Sequence, residues 1–209
     1  SQSFFFAKWS LLAEAFSAVE QCLDIFLLNY LIKDRVAFGY YSLATIFILG
    51  MNYITSTVQR IATPYFSEKS RDKKEFIRVL KKYQKLMVLT AFLTAVVFSI
   101  LVPLFIKTVY GKNYALVGTY FRILSIKYFF WSCCTLLRVA IFGLGKMMYN
   151  FLSVAIVVPV SAILSYFFIT RYGIVGAAIG QVLAYLFTLV VVSFMVKHVI
   201  KIHFRDSQQ

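Results

Sequence analysis

Three cations stand in a stretch that is otherwise apolar enough for the interior of a bilayer. Arg122, Lys127 and Arg138 all fall within YFRILSIKYFFWSCCTLLRVAIFG. At 100° per residue, Lys127, Trp131, Cys134 and Arg138 share one narrow helical face, with Thr135 beside them, while Arg122 points elsewhere. A cation in hydrocarbon costs about 3 kcal/mol even on insertion scales, so such residues face a bundle interior, a partner or a water-filled cavity. The chemistry this face offers is the binding of negative charge, either a carboxylate on a neighbouring helix or an anionic ligand.

Carboxylates of the right kind occur in the first apolar stretch. Glu14, Glu20 and Asp24, with Gln21, lie within about a third of the helical circumference. This stripe either pairs with the basic helix or takes part in coupling to an ion. If both helices cross fully, Asp24 and Lys127 lie toward the outer side, and Glu14 and Arg138 toward the inner side. A third polar face follows in the second stretch, where Asn52, Thr55, Ser56, Gln59 and Thr63 align. These side chains serve interhelical hydrogen bonds, typically below about 2 kcal/mol each in membranes, or line a polar cavity. Arg60 reads as a cation that snorkels to the interface.

The elements that must carry these faces are membrane helices. Of 209 residues, 61% are hydrophobic and only 14% charged, a membrane composition. Six spans are predicted, at 4–31, 38–63, 83–106, 119–143, 147–169 and 174–197, each near the 20 residues that a hydrocarbon core requires. The expected class is therefore all-α and polytopic, with the whole of 1–209 as one bundle. Pro64 is expected to end the second span, and Pro159 to kink the fifth. Gly176 and Gly180 form GxxxG, which predicts close packing of the sixth helix on a neighbour.

The net charge of +14 is concentrated rather than spread. Eight Lys and Arg residues fall between Lys69 and Lys85, a pattern for anionic lipid and the positive-inside rule rather than for nucleic acid. Both ends of the chain are thereby predicted to be cytoplasmic. Residues 67–82 read as an amphipathic helix on the membrane surface: Asp72 and Glu75 have capping-box spacing, and Phe76, Val79, Leu80 and Tyr83 recur at helical intervals.

No catalytic residue, cofactor or metal is expected. The chain has no G-x-x-x-x-G-K-[ST], H-E-x-x-H or G-x-S-x-G. Cys22, Cys133 and Cys134 have no zinc or disulfide spacing, and His198 and His203 read as interfacial. A lipid-phosphate enzyme would want its acids and bases clustered at one membrane face, whereas here they run through the depth of different helices. A conduit suits that distribution better; a structural membrane protein is the other bland alternative. The opening Ser1, with no initiator Met, suggests part of a longer chain.

Several stretches together resemble one family. FGYYSLATIFILGMNYITSTVQRIATPYFSE, the basic connection, VYGKNYALVGTYFRILSIKYFFWSCCTLLRVAIFGLGKM and RYGIVGAAIGQVLAYLF are similar, in order and spacing, to the C-terminal half of bacterial O-antigen and capsule repeat-unit flippases of the multidrug/oligosaccharidyl-lipid/polysaccharide exporter superfamily. The resemblance implies six helices forming one of two bundles around a central cavity. It also implies export of a polyprenyl-pyrophosphate-linked oligosaccharide across the bacterial inner membrane by alternating access, for surface polysaccharide biosynthesis. The implied partners are that lipid-linked substrate, membrane lipids, and an N-terminal bundle of the same chain or a second copy. A cationic cavity meets the needs of a pyrophosphate in low dielectric, and Lys127 and Arg138 answer that need, with Arg122 at the outer mouth and Asn52 and Gln59 toward the sugar. A peptidoglycan-precursor flippase would want the same cations. A cation-coupled drug antiporter would instead want Glu14, Glu20 and Asp24 free of them.

Overall fold

The computed structural model describes the backbone of residues 2–206 and the side chains of 7–205; Ser1 and 207–209 lie outside the described residues. The described chain is helical almost throughout: α1 (Gln2–Leu31), α2 (Arg35–Glu68), α3 (Lys73–Val109), α4 (Ala115–Gly143) and α5 (Met147–Asp206), with 3-10 turns at Lys69–Arg71 and Lys112–Tyr114. Four stretches are long and apolar enough to cross a membrane, Arg35–Arg71, Lys73–Val109, Lys112–Gly143 and Met147–Arg205. α1 is not one of them, because Lys8, Glu14, Glu20 and Asp24 interrupt its apolar run. The protein is an all-helical, multi-pass membrane protein.

α5 is not a single rod. Gly173 has φ 60° and ψ −136°, a region that side chains other than glycine's hydrogen do not enter without strain. Beyond it the chain doubles back. A Cβ at Gly180 would lie 3.3 Å from the Ser165 Cα, and Gln181 Nε2 donates to Ser165 Oγ at 3.5 Å. On a straight helix, residues 16 apart are separated by about 24 Å. The arms 147–172 and 174–206 are therefore antiparallel neighbours, and the close packing signalled by GxxxG is made within this hairpin.

α4 is the hub of the described chain. It packs on α2, α3 and α5, whereas α1 leans chiefly on α5. Over half of the apolar window of α4 is buried, against a third or less in the other three. This is why its sequence is apolar nearly all round, and why any charge on its buried face must be matched by a neighbour. The outer helix α3 instead exposes Phe92, Leu93, Val96, Val97, Ile100, Leu101 and Leu104, a surface that only hydrocarbon or another protein can cover.

The second helix corrects one expectation. Pro64 does not end it: α2 runs on to Glu68. A proline costs the bond from its own missing N–H, and here the next turn is held by packing, since Phe66 is fully buried against Phe76 and Tyr83 with ring centroids 5.6 and 6.3 Å away. The basic connection is not one helix over 67–82, since α2 ends at Glu68, a 3-10 turn takes Lys69–Arg71 and Asp72 caps the next helix. After the 3-10 turn, helix resumes at Lys73 and joins α3 without a break.

Asp72 is the N-cap of α3, its Oδ1 accepting from Lys74 N at 2.8 Å and Glu75 N at 3.3 Å. The reciprocal half of a capping box is replaced by a backbone bond, Asp72 N to Lys69 O. Asp72→Ala is expected to weaken this helix start by about 1 kcal/mol. Amide hydrogen exchange should quicken at residues 73–76 and stay unchanged beyond Tyr83.

Candidate functional site

The basic and acidic faces meet. Lys127 Nζ lies 3.7 Å from Asp24 Oδ2, and Arg138 donates from a terminal guanidinium nitrogen to Glu20 Oε2 at 3.5 Å. Both carboxylates are buried, Asp24 at 0% and Glu20 at 2% exposure. Each is held by further groups on other helices. Tyr41 OH donates to Asp24 Oδ2 at 2.5 Å, and Thr188 Oγ1 to Glu20 Oε1 at 3.4 Å while also bonding Ala184 O. Lys127 Nζ also sits 5.4 Å from the Tyr185 ring centroid, within cation–π range. The result is a pair of neutralised charges linking α1, α2, α4 and α5 in an interior where a lone ion would be costly.

Shared depth along the helices does not by itself give these pairs. Asp24 does meet Lys127, but Arg138 takes Glu20 rather than Glu14. The offset of α1 against α4 along their axes sets which carboxylate Arg138 meets, and it falls at Glu20, six residues beyond Glu14. Glu14 makes no ion pair among the described residues and instead lines an adjoining cavity.

That cavity has a volume of about 380 Å³ and lies between α1, α2, α4 and the start of α5. α1 contributes Ser10, Glu14, Ser17 and Gln21; α2 contributes Gln59 and Thr63; α4 contributes Trp131, Thr135 and Arg138; α5 contributes Asn150. Three buried polar atoms on this wall have no hydrogen-bond partner, namely Gln59 Nε2, Arg138 Nε and Asn150 Oδ1. Buried polar groups are normally satisfied, so these side chains keep bonding capacity beside a space whose lining includes Ser10, Glu14, Ser17, Gln21, Thr63 and Thr135. Trp131 adds a flat aromatic surface.

The other residues singled out from sequence divide three ways. Asn52 lines a smaller pocket of about 40 Å³ with Lys127 and Tyr185, and this pocket shares Gln21 and Trp131 with the larger one. Its Oδ1 is likewise buried without a partner. Thr55 is spent on structure, bonded to Tyr128 OH at 3.0 Å and Ser132 Oγ at 2.9 Å. Cys134 faces α5, with Sγ 3.8 Å from Tyr185 O. Arg122 is not part of the cavity at all; it is exposed on the far side of α4, about 160° around the helix from Arg138.

Sequence reasoning missed Ser10, Ser17 and Asn150. The two serines were legible, since Ser10, Glu14, Ser17 and Gln21 follow helical spacing. Asn150 was not, because one amide at the head of an apolar helix carries no pattern.

Residues 1–119 match the family described as polysaccharide biosynthesis protein. A Shigella flexneri protein provisionally named an O-antigen transporter is 32% identical over 180 residues, covering 85% of this chain and 42% of that protein. Among solved structures, an outward-facing multidrug resistance transporter of the MATE family, in the MOP superfamily, superposes with a TM-score of 0.76 over 88% of this chain and 42% of its own. At 15% identity this second likeness concerns the fold alone. The chain spans about two-fifths of the length of both relatives. With more than half of its residues inside the family match, the chain belongs to the polysaccharide biosynthesis protein family.

Proposed function

We propose that this chain is a six-span bundle, one half of a transporter that moves a polyprenyl-pyrophosphate-linked oligosaccharide across the bacterial inner membrane by alternating access. The two arms of α5 would supply two of the spans and the charged α1 another. Both ends of the chain would then be cytoplasmic, and the polar cavity would face the companion bundle, an N-terminal half or a second copy.

The observation that carries this reading is the polar-lined cavity beside two neutralised cations. Gln59, Asn150 and Trp131 present donors, an acceptor and an aromatic face to sugar hydroxyls and ring carbons; Asn52 adds an acceptor in the neighbouring pocket. Lys127 and Arg138 would exchange their carboxylates for the substrate's pyrophosphate, so neither cation is left bare in low dielectric at any stage. Glu20 and Asp24, once released, need another positive partner, a proton or a metal cation. That gives the acidic helix its part in coupling. The same pairing disfavours a cation-drug antiporter, whose carboxylates would have to be free of competing cations.

In the full-length protein, Lys127→Gln with Arg138→Gln is expected to abolish surface polysaccharide. Because these changes strand Asp24 and Glu20, they are compared with a variant that also carries Asp24→Asn and Glu20→Gln, which should restore abundance in the membrane but not the glycan. The readouts are glycan electrophoresis of cell extracts and quantitative blotting of membranes. Normal surface glycan in cells carrying the double variant would sink the proposal.

A further inference from the structure

A second cavity, of about 370 Å³, opens between α3 and α4 on the side of α4 opposite the polar one. Its walls are apolar: Phe92, Ala95 and Val96 from α3, Ile126 and Phe129 from α4. The two serines that reach it, Ser99 and Ser125, spend their hydroxyls on the carbonyls of Val96 and Phe121. The single charged residue on this wall is Arg122, which is exposed and makes no ion pair among the described residues. Around the groove, Phe92, Val96, Ile100 and Ile126 are all more than 40% exposed.

A bare guanidinium beside an exposed apolar groove is out of place, and its depth says what would match it. Arg122 lies seven residues into α4, about 10 Å below the start of the helix. Its side chain leans toward that start. The same end carries clustered tyrosines, with Tyr110 and Tyr40 each about 5.3–5.4 Å from the Tyr114 ring, as aromatic belts do at the headgroup level. Lys107 is exposed near the end of α3, eleven residues after Val96 and on the same side of that helix. Two cations at headgroup depth over an apolar groove match a lipid whose head is negative and whose tail fills the groove.

We infer that the α3–α4 groove is a binding site for an anionic phospholipid, with Arg122 on the headgroup phosphate and the acyl chain between Phe92, Val96, Ile126 and Phe129. The inference stands apart from the proposed transport, since none of these residues lines the polar cavity.

The test uses full-length protein in vesicles that contain phosphatidylglycerol, or phosphatidylcholine with identical chains, each carrying a diazirine on one acyl chain. After photolysis, adducts are mapped by peptide mass spectrometry. Segments 89–100 and 122–130 should be labelled about fivefold more by the glycerol lipid, the preference expected of one basic residue at an anionic surface. Arg122→Gln should reduce that labelling to the phosphatidylcholine level, and Arg122→Lys should keep most of it. Unchanged phosphatidylcholine labelling in Arg122→Gln reports an intact groove. Equal labelling by the two lipids in the unaltered protein, or an undiminished preference in Arg122→Gln, would overturn the inference.

Discussion

Asp24→Asn is expected to destabilise the bundle by about 3 kcal/mol, and adding Lys127→Met in the same chain to restore most of the loss. The single change leaves Lys127, only 8% exposed, without the carboxylate 3.7 Å away. Breaking a buried pair from one side strands the other charge, which costs far more than the intact pair contributes. Asparagine keeps an oxygen for Tyr41 OH, so the loss reports charge rather than a missing hydrogen bond. Removing both charges leaves nothing stranded, and methionine fills the space along Tyr185 and Tyr128. Thermal unfolding of the detergent-purified single and double variants measures the cycle. Two variants that destabilise additively would mean that the ions are solvated separately and that the pair is incidental.

The second large effect is in the α5 hairpin. A Cβ at Gly176 would sit 1.9 Å from the carbonyl oxygen of Phe168 and 2.5 Å from its carbon, atoms of backbone that no rotamer change can move. Gly176→Val should therefore separate the two arms, at a cost at or above the roughly 3 kcal/mol upper end for overpacking. Since Ile174, Ala177 and Ala178 belong to the main core with Tyr128 and Phe121, the damage should spread to α4. The expected readout is loss of the monodisperse peak in size-exclusion chromatography after extraction. Gly180→Ala is the control: its Cβ would meet Ser165 Cα at 3.3 Å, a contact that a shift of a few tenths of an ångström relieves. If both variants elute normally, the arms are not held in contact at this point.

Transport and lipid binding make separable demands on the fold. Lys127 and Arg138 point into the bundle and are matched by Asp24 and Glu20, whereas Arg122 on the same helix points out and is matched by nothing among the described residues. One helix thus carries cations for two different counter-charges. Loss of surface polysaccharide in Arg122→Gln would accordingly have to act through the lipid environment rather than through the cavity.

The sequence by itself determined the class and the ingredients. Apolar runs of membrane length, a basic connection and three polar helical faces are local properties, written in composition and in a 3.6-residue period, so they survive without knowledge of neighbours. The N-cap at Asp72 and the close approach at Gly176 were legible for the same reason. What only the tertiary structure decided was partnership: that Glu20 and not Glu14 takes Arg138, that Arg122 leaves the cavity, that Asn150 joins it, and that α2 passes through Pro64 to bury Phe66. Each of these depends on how far helices are shifted and rotated against one another, by a few ångströms and tens of degrees. Those offsets come from the sum of many small packing contacts across different helices, and no single stretch of sequence contains that sum.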